Sequence, residues 1–162
     1  MLSDADRIRN LLARYGELLD AGDFDGVGAL FADGALCGPD GSAFARGAVE
    51  VAAFYRAGTQ LHDGSPRTKH LVVNSIFEEP ADDGTVAVRS SYVVMQATDA
   101  LALQPVISGR YEDRFASTGA DGWAFRERRF LVDQVGDLSH HLADPTIAGP
   151  TITDRAGEEG DR

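Results

Sequence analysis

The chain has 162 residues, and its 26 acidic side chains outnumber 15 Lys and Arg, giving a net charge of −11 at pH 7. This length fits one domain, and a hydrophobic content of 43% is typical of a soluble globular protein. A pI near 4.6 excludes the basic surface that nucleic acids and anionic membranes require. The N-terminal segment MLSDADRIRN carries acids before any apolar stretch, unlike a secretion signal. We therefore expect a cytoplasmic protein that binds neither nucleic acid nor membrane.

The first third of the chain predicts helices. Ser3 and Asp6 have the spacing of a capping box, apolar residues then recur at helical spacing, and Gly22 stands where a left-handed residue ends a helix. The elements expected here are a helix between Ser3 and Gly22, a short helix after Asp23, a short strand at 35–37 and a third helix at 48–57.

The rest of the chain predicts strands joined by short links rich in turn residues. The expected strands span residues 68–79, 85–98, 104–115 and 123–135. A final short helix is expected at 140–142, capped by Asp137 or Ser139. Strands this long must curve, so the pattern predicts an α+β domain in which three N-terminal helices pack on a curved antiparallel or mixed sheet, forming a cone-shaped barrel with an internal pocket. We assign residues 1–149 to this domain and 150–162 to a flexible tail.

Three side chains are candidates for acid–base chemistry. His70 has an unperturbed pKa near neutrality and is the natural candidate for a general base, although a strand histidine is more often structural. Asp20 stands near the end of the first helix, where a negative charge opposes the helix dipole. It is either a solvated turn acid or the partner that orients His70. Tyr15 lies on the apolar face of the first helix, either as a core aromatic or as a hydrogen-bond donor to a substrate oxygen.

The sequence offers no sign of a metal or cofactor. Cys37 is the one cysteine, so a cysteine-based zinc site is excluded. His140 and His141 are adjacent, and adjacent side chains of a helix point in different directions, so we expect no metal site there. The glycine-rich nucleotide loops and the GxSxG esterase motif are also missing.

Several segments together resemble the SnoaL-like branch of the nuclear transport factor 2-like superfamily. The resemblance covers roughly residues 3–142. It rests on the helix after Gly47 and on the segments RYGELLDAGDFDGVGALFADGA, TKHLVVN, SGRYEDRF and GWAFRERRFLVDQVGDLSHHL. The family implies an α+β cone with a deep apolar pocket and a homodimer formed through the outer sheet surface.

Within this superfamily, the chain is most similar to the scytalone dehydratase and bile-acid dehydratase branch. The resemblance implies catalytic roles for Tyr15, Asp20 and His70, and a pocket cation at Arg128. It also places Gln96 at the pocket position where scytalone dehydratase has a second strand His, and Ser108 and Arg110 at those where that enzyme has a Ser and an Asn. These departures argue against scytalone as the substrate. The aromatic residues expected to line the pocket are Phe54, Tyr55, Tyr92 and Phe130.

These observations lead to two hypotheses of different classes. The first is a cofactor-independent lyase or isomerase, of dehydratase type, acting on a hydrophobic cyclic, steroid-like or polyketide-like molecule. His70, oriented by Asp20, would remove a proton beside a carbonyl whose oxygen is held by Tyr15 and Arg128. The second is a non-catalytic ligand-binding or assembly module, in which aromatic side chains including Phe31 fill the cone.

Overall fold

The computed structural model describes residues 1–119 and 122–143. Within them lie three helices and one six-stranded sheet. The helices are α1 (Asp4–Ala21), α2 (Phe24–Leu30) and α3 (Gly47–Gly58). The strands are β1 (Ala35–Cys37), β2 (Ala43–Arg46), β3 (Thr68–Phe77), β4 (Val86–Gln96), β5 (Gln104–Gly119) and β6 (Gly122–Val135).

The sheet is mixed and open. Its strand order is β2-β1-β6-β5-β4-β3, so β2 and β3 are the edge strands. Strands β3 to β6 form the expected antiparallel meander, whereas β1 pairs parallel with β6 and antiparallel with β2. The helices cover one face, and this confirms the predicted α+β cone, with a sheet that does not close on itself.

Helix α1 begins and ends as its sequence predicts. Ser3 and Asp6 form the capping box, and Gly22 closes the helix with φ 73°. The buried stripe of α1 faces the core, and the helix lies against edge strand β3. At the contact, a Cβ added to Gly16 would lie 3.3 Å from the Cβ of His70. A glycine at this position therefore lets α1 approach the strand that carries the candidate base.

Two local predictions differ from the structure. Strand β2 was not predicted. Residues 140–142 form a turn rather than a short helix. The side chain of Asp137 accepts a hydrogen bond from the Ser139 amide, as in a helix cap, and the Leu138 carbonyl accepts from the His141 and Leu142 amides, but the carbonyls of His140 and His141 are bonded to other segments. The predicted tail, residues 150–162, lies outside the described residues.

Residues 137–143, here called the C-terminal strap, lie across the end of α3. The Gln60 amide donates to the His141 carbonyl at 2.9 Å, and the Ala143 amide donates to the Gly58 carbonyl at 2.9 Å. The Gln96 side chain donates to the His140 carbonyl at 2.8 Å. These bonds to α3, to Gln60 just after it and to β4 fix the strap in place.

The interior of the cone is filled by aromatic rings packed around one buried ion pair. Arg128 on β6 is fully buried and makes two hydrogen bonds, of 2.8 and 2.7 Å, to Asp113 on β5. Its guanidinium carbon lies 4.1 Å from the ring centre of Tyr15 and 3.8 Å from that of Tyr111. Burial by itself would lower the pKa of Arg128, but the Asp113 carboxylate outweighs it and raises that pKa. Arg128 therefore stays charged and structural.

We expect Asp113→Asn to destabilise the fold by about 3–5 kcal/mol, because it leaves a buried guanidinium without its counter-charge. The double variant Asp113→Leu with Arg128→Met should recover much of this loss. Urea unfolding measures both free energies. Asp133→Asn breaks the exposed pair with Arg110 on the same two strands and is the matched control. A loss for Asp113→Asn no larger than for the control would contradict the structural role of the buried pair.

Candidate active site

Asp20 and His70 are in direct contact at the junction of α1 and β3. The Oδ1 atom of Asp20 lies 2.7 Å from the Nδ1 atom of His70. Both side chains are largely buried, with 9% of His70 and 10% of Asp20 exposed. The same carboxylate accepts the His70 amide at 3.1 Å and the Thr68 hydroxyl at 2.9 Å. An edge strand has backbone amides without a neighbouring strand to pair with. Asp20 accepts from one of these amides and also orients the His70 ring.

These donors stabilise the charged form of Asp20. Burial by itself raises the pKa of this carboxyl, but the hydrogen bond from His70, the His70 charge, the His70 amide and the Thr68 hydroxyl outweigh burial. The pKa of Asp20 is therefore held below its ordinary value. The same hydrogen-bond donors offset the unfavourable interaction of Asp20 with the negative C-terminal end of the α1 dipole.

The contact with Asp20 sets the tautomer of His70. A carboxylate only accepts hydrogen bonds, so the neutral imidazole must carry its proton on Nδ1. The other nitrogen, Nε2, then holds a lone pair, and no hydrogen bond reaches it from the described residues. An imidazole in this state is equipped to accept a proton from a bound molecule.

His70 lines a pocket of about 100 Å³ between α1, α3 and the strap. The wall is apolar apart from a few polar groups. Its residues are Leu19, Phe24, Phe54, Tyr55, Gly58, Thr59, Pro66, Thr68, His70, His141 and Leu142. A larger groove of about 520 Å³ runs along the outside of α1 and β3, and its wall includes Asp20, Lys69 and also His70.

Tyr55 lines the pocket, and its hydroxyl is buried against that of Tyr15. Its oxygen lies 2.5 Å from the hydroxyl oxygen of Tyr15, which is 1% exposed. Burial, then the neighbouring Tyr15, raises the pKa of Tyr55 well above its ordinary value, so the phenol stays protonated. Tyr15 does not line this pocket, whereas Tyr55 does. Tyr15 lies behind Tyr55 and fixes its position.

The structure places the other predicted residues away from the pocket. Arg128 is occupied by Asp113, so it is no pocket cation. Tyr92 stacks on Tyr111 with ring centres 4.2 Å apart, and Phe130 packs edge-on against Tyr111 at 5.6 Å. Gln96 is buried but donates to the carbonyls of Pro66 and His140. Of the predicted aromatic wall, Phe54 and Tyr55 line the pocket.

Ser108 and Arg110 lie on the outer face of the sheet, so their predicted place in the pocket is corrected. The register of β5 shifts between Ser108 and Gly109, and Gly109 takes the inward position. Ser108 donates to Gln134, and Arg110 pairs with Asp133 at 3.0 Å. A bulge of this kind leaves no reliable signal in the sequence.

His141 is a site residue that the sequence analysis missed. The strap brings its ring into the same pocket wall as His70. Burial, then the charge of His70, lowers the pKa of His141 to about 4, so this ring is neutral at neutral pH. Within the described part of the chain, we find no group of three or more potential metal ligands and no helix long and apolar enough to cross a membrane.

Comparison with known proteins identifies the class. A model of the SnoaL-like domain matches residues 1–129, and the chain therefore belongs to the SnoaL-like domain family, as the sequence resemblance predicted. No curated protein sequence matches the chain.

Solved structures with the same fold include three that cover most of this chain. A variant of Rv3472, a protein of unknown function from Mycobacterium tuberculosis, is 26% identical, with a TM-score of 0.65 over 90% of this chain and 82% of its own. An NTF2-like protein with a cystatin-like fold from Novosphingobium aromaticivorans is 24% identical, with a TM-score of 0.65 over 85% and 86% of the two chains. A putative scytalone dehydratase from the same organism is 17% identical, with a TM-score of 0.64 over 83% and 87%.

The tautomer of His70 can be measured directly. In the wild type, we expect ¹⁵N NMR of the neutral ring to show the proton on Nδ1, because Asp20 accepts it. Asp20→Asn should give a mixture of tautomers, since an amide can also donate. Glu17→Gln, which lies one turn earlier on α1 and faces the outer groove, is the control and should leave the spectrum unchanged. A wild-type ring protonated mainly on Nε2 would contradict this geometry.

Proposed function

We propose that this protein is a cofactor-independent enzyme of lyase or isomerase type that removes a proton beside a carbonyl in a small cyclic molecule. The observation that carries the proposal is the Asp20–His70 pair, with Nδ1 bound to the carboxylate at 2.7 Å and Nε2 left free in a pocket wall. A buried acid that orients an imidazole beside an apolar pocket is the usual arrangement of a general base.

The proposed chemistry uses three side chains. His70 Nε2 takes the proton from the carbon next to the carbonyl, and the electron pair moves onto the carbonyl oxygen. The Tyr55 hydroxyl donates a hydrogen bond to that developing enolate, while Tyr15 donates to Tyr55 and holds it in place. Asp20 stabilises the imidazolium that forms. Return of the proton from Nε2 to a different carbon gives an isomer, and its transfer to a leaving hydroxyl gives an alkene and water.

The size of the pocket limits the substrate. A dry cavity of about 150 Å³ accommodates benzene, so a pocket of about 100 Å³ holds no more than one six-membered ring or the reactive end of a longer molecule. The steroid-like substrates considered from sequence alone exceed this volume severalfold. We therefore propose a single-ring ketone as the reacting unit.

A binding module is the second candidate, and one observation favours it. The aromatic core around Arg128 fills most of the cone, as that hypothesis predicted, with Phe31 and Phe125 stacked at 4.6 Å. The binding-module hypothesis, however, does not explain why a buried acid fixes the tautomer of a histidine in the pocket wall. The enzyme is therefore the better explanation of the site.

Proton abstraction can be tested without knowing the natural product. In D₂O, we expect the protein to catalyse exchange of the α-protons of cyclohexanone, followed by proton NMR. His70→Ala should slow the exchange by about 100-fold or more, because general base catalysis contributes 10²–10⁴-fold. His140→Ala is the matched control, since the ring of His140 is not part of the pocket wall. Equal rates for His70→Ala and wild type would overturn the proposal in favour of the binding module.

We also propose that the protein forms a homodimer through the outer sheet face. Apolar side chains on β3 remain exposed there, with Leu71 at 44% and Val73 at 43%, and Val93 pairs with Leu71 across the sheet. Leu71→Asp should place a charge in that interface and shift the sedimentation coefficient from dimer to monomer. Wild-type protein that sediments as a monomer at micromolar concentration would rule the dimer out.

A further inference from the structure

The histidines of the pocket region differ in how their ring nitrogens are paired. His70 Nδ1 is bound to Asp20, and His62 Nε2 is bound to the His140 carbonyl at 2.8 Å. His141 has neither kind of partner. Its Nδ1 is buried without a hydrogen bond, and its other ring nitrogen has none from the described residues. A buried polar atom without a hydrogen-bond partner costs stability. A bound molecule that hydrogen-bonds the His141 ring would remove this cost.

The strap holds His141 at this position by backbone bonds alone. The His141 carbonyl accepts from Gln60, and the His141 amide donates to the Leu138 carbonyl at 2.9 Å. The main chain is therefore fixed, while the imidazole contributes nothing to the anchoring. The ring instead lies in the wall of the pocket that contains His70 and Tyr55.

The pocket thus offers two separate places for a substrate oxygen. Tyr55 supplies a phenolic hydroxyl backed by Tyr15, which suits a carbonyl oxygen that becomes negative. His141 supplies a neutral imidazole, with one donor and one acceptor nitrogen, which suits a hydroxyl group. Burial keeps that imidazole neutral at neutral pH, so it adds no second positive charge beside His70.

We propose that His141 is a second substrate-contacting residue that hydrogen-bonds a hydroxyl group, and that the substrate is a single-ring ketone with a hydroxyl on its β-carbon. This inference rests on the proposed function and selects dehydration from the reactions considered above. His70 takes the α-proton, the enolate reforms the carbonyl as the alkene forms, and the β-carbon–oxygen bond breaks. The proton on His70 Nε2 joins the leaving hydroxide as water, and His141 orients that hydroxyl.

The test compares two probes that differ by one hydroxyl group, cyclohexanone and 3-hydroxycyclohexanone. Their affinities for wild type and variants are measured by NMR titration, and dehydration is followed by the ultraviolet absorbance of cyclohex-2-enone. His141→Phe should weaken binding of 3-hydroxycyclohexanone about tenfold more than binding of cyclohexanone, the worth of one hydrogen bond. His141→Asn, which keeps a donor and an acceptor, should restore part of the loss, and His140→Phe should have no effect.

The outcomes separate this inference from the proposed function. If His141→Phe lowers the affinity for 3-hydroxycyclohexanone about tenfold more than the affinity for cyclohexanone, the inference is supported. If both probes bind His141→Phe as they bind wild type, the role of His141 is overturned and the proton abstraction still stands. If the wild type catalyses no exchange, the proposed function fails, whereas the affinity difference between the two probes still decides whether His141 binds the hydroxyl. Failure of both probes to bind the wild type would overturn the inference as well.

Discussion

The buried pair of Arg128 and Asp113 determines how much of the cone is left open. A guanidinium without exposure must be surrounded by groups that compensate for lost hydration. Here they are one carboxylate and the faces of Tyr15 and Tyr111. Tyr15 therefore packs in the core, and its hydroxyl contacts the hydroxyl of Tyr55. Because these side chains occupy the interior, the pocket lies near the C-terminal end of α1, and its volume is about 100 Å³.

The position of Asp20 links the fold to the chemistry. Helix α1 ends at Ala21 because Gly22 adopts a left-handed conformation, and this places the Asp20 carboxylate at the free edge of β3. The edge amide of His70 and the hydroxyl of Thr68 are then within hydrogen-bond distance. The Asp20 carboxylate that pairs with the edge of β3 also orients the ring of His70. The geometry of the candidate base therefore depends on the contact between α1 and β3.

Local patterns in the sequence predicted much of this arrangement. The caps of α1 lie where Ser3 and Gly22 predict, and the fold class and family are confirmed. Alternation placed Thr68 and His70 on one face of β3, and the unfavourable position of Asp20 on α1 pointed to a partner. These signals depend on neighbours within a few residues, which is the range over which propensity and periodicity act.

The remaining features depend on contacts between distant parts of the chain. Asp113 has the alternation of an ordinary strand acid, and its burial follows only from the register of β5 with β6. The bulge beside Ser108 reversed the face assigned to Ser108 and Arg110. His141 enters the pocket because Gln60 and Gln96 bind the strap from positions about 81 and 45 residues earlier in the chain, a spacing that no local pattern records.

Two pairs of a cationic or basic group with an acid are buried among the described residues, and solvent access distinguishes their roles. Arg128 and Asp113 have 0% exposure and pair with each other, with Arg128 Nη1 left without a hydrogen bond; neither residue lines the pocket of His70, and hydrophobic residues of equal volume would serve the fold about as well. His70 and Asp20 retain 9% and 10% exposure, and one nitrogen of His70 is left over after the pairing. A strongly perturbed ion pair is therefore weak evidence of a site when considered alone. A ring nitrogen without a hydrogen bond, on a residue that lines a cavity, is the better evidence, and His70 and His141 both provide it.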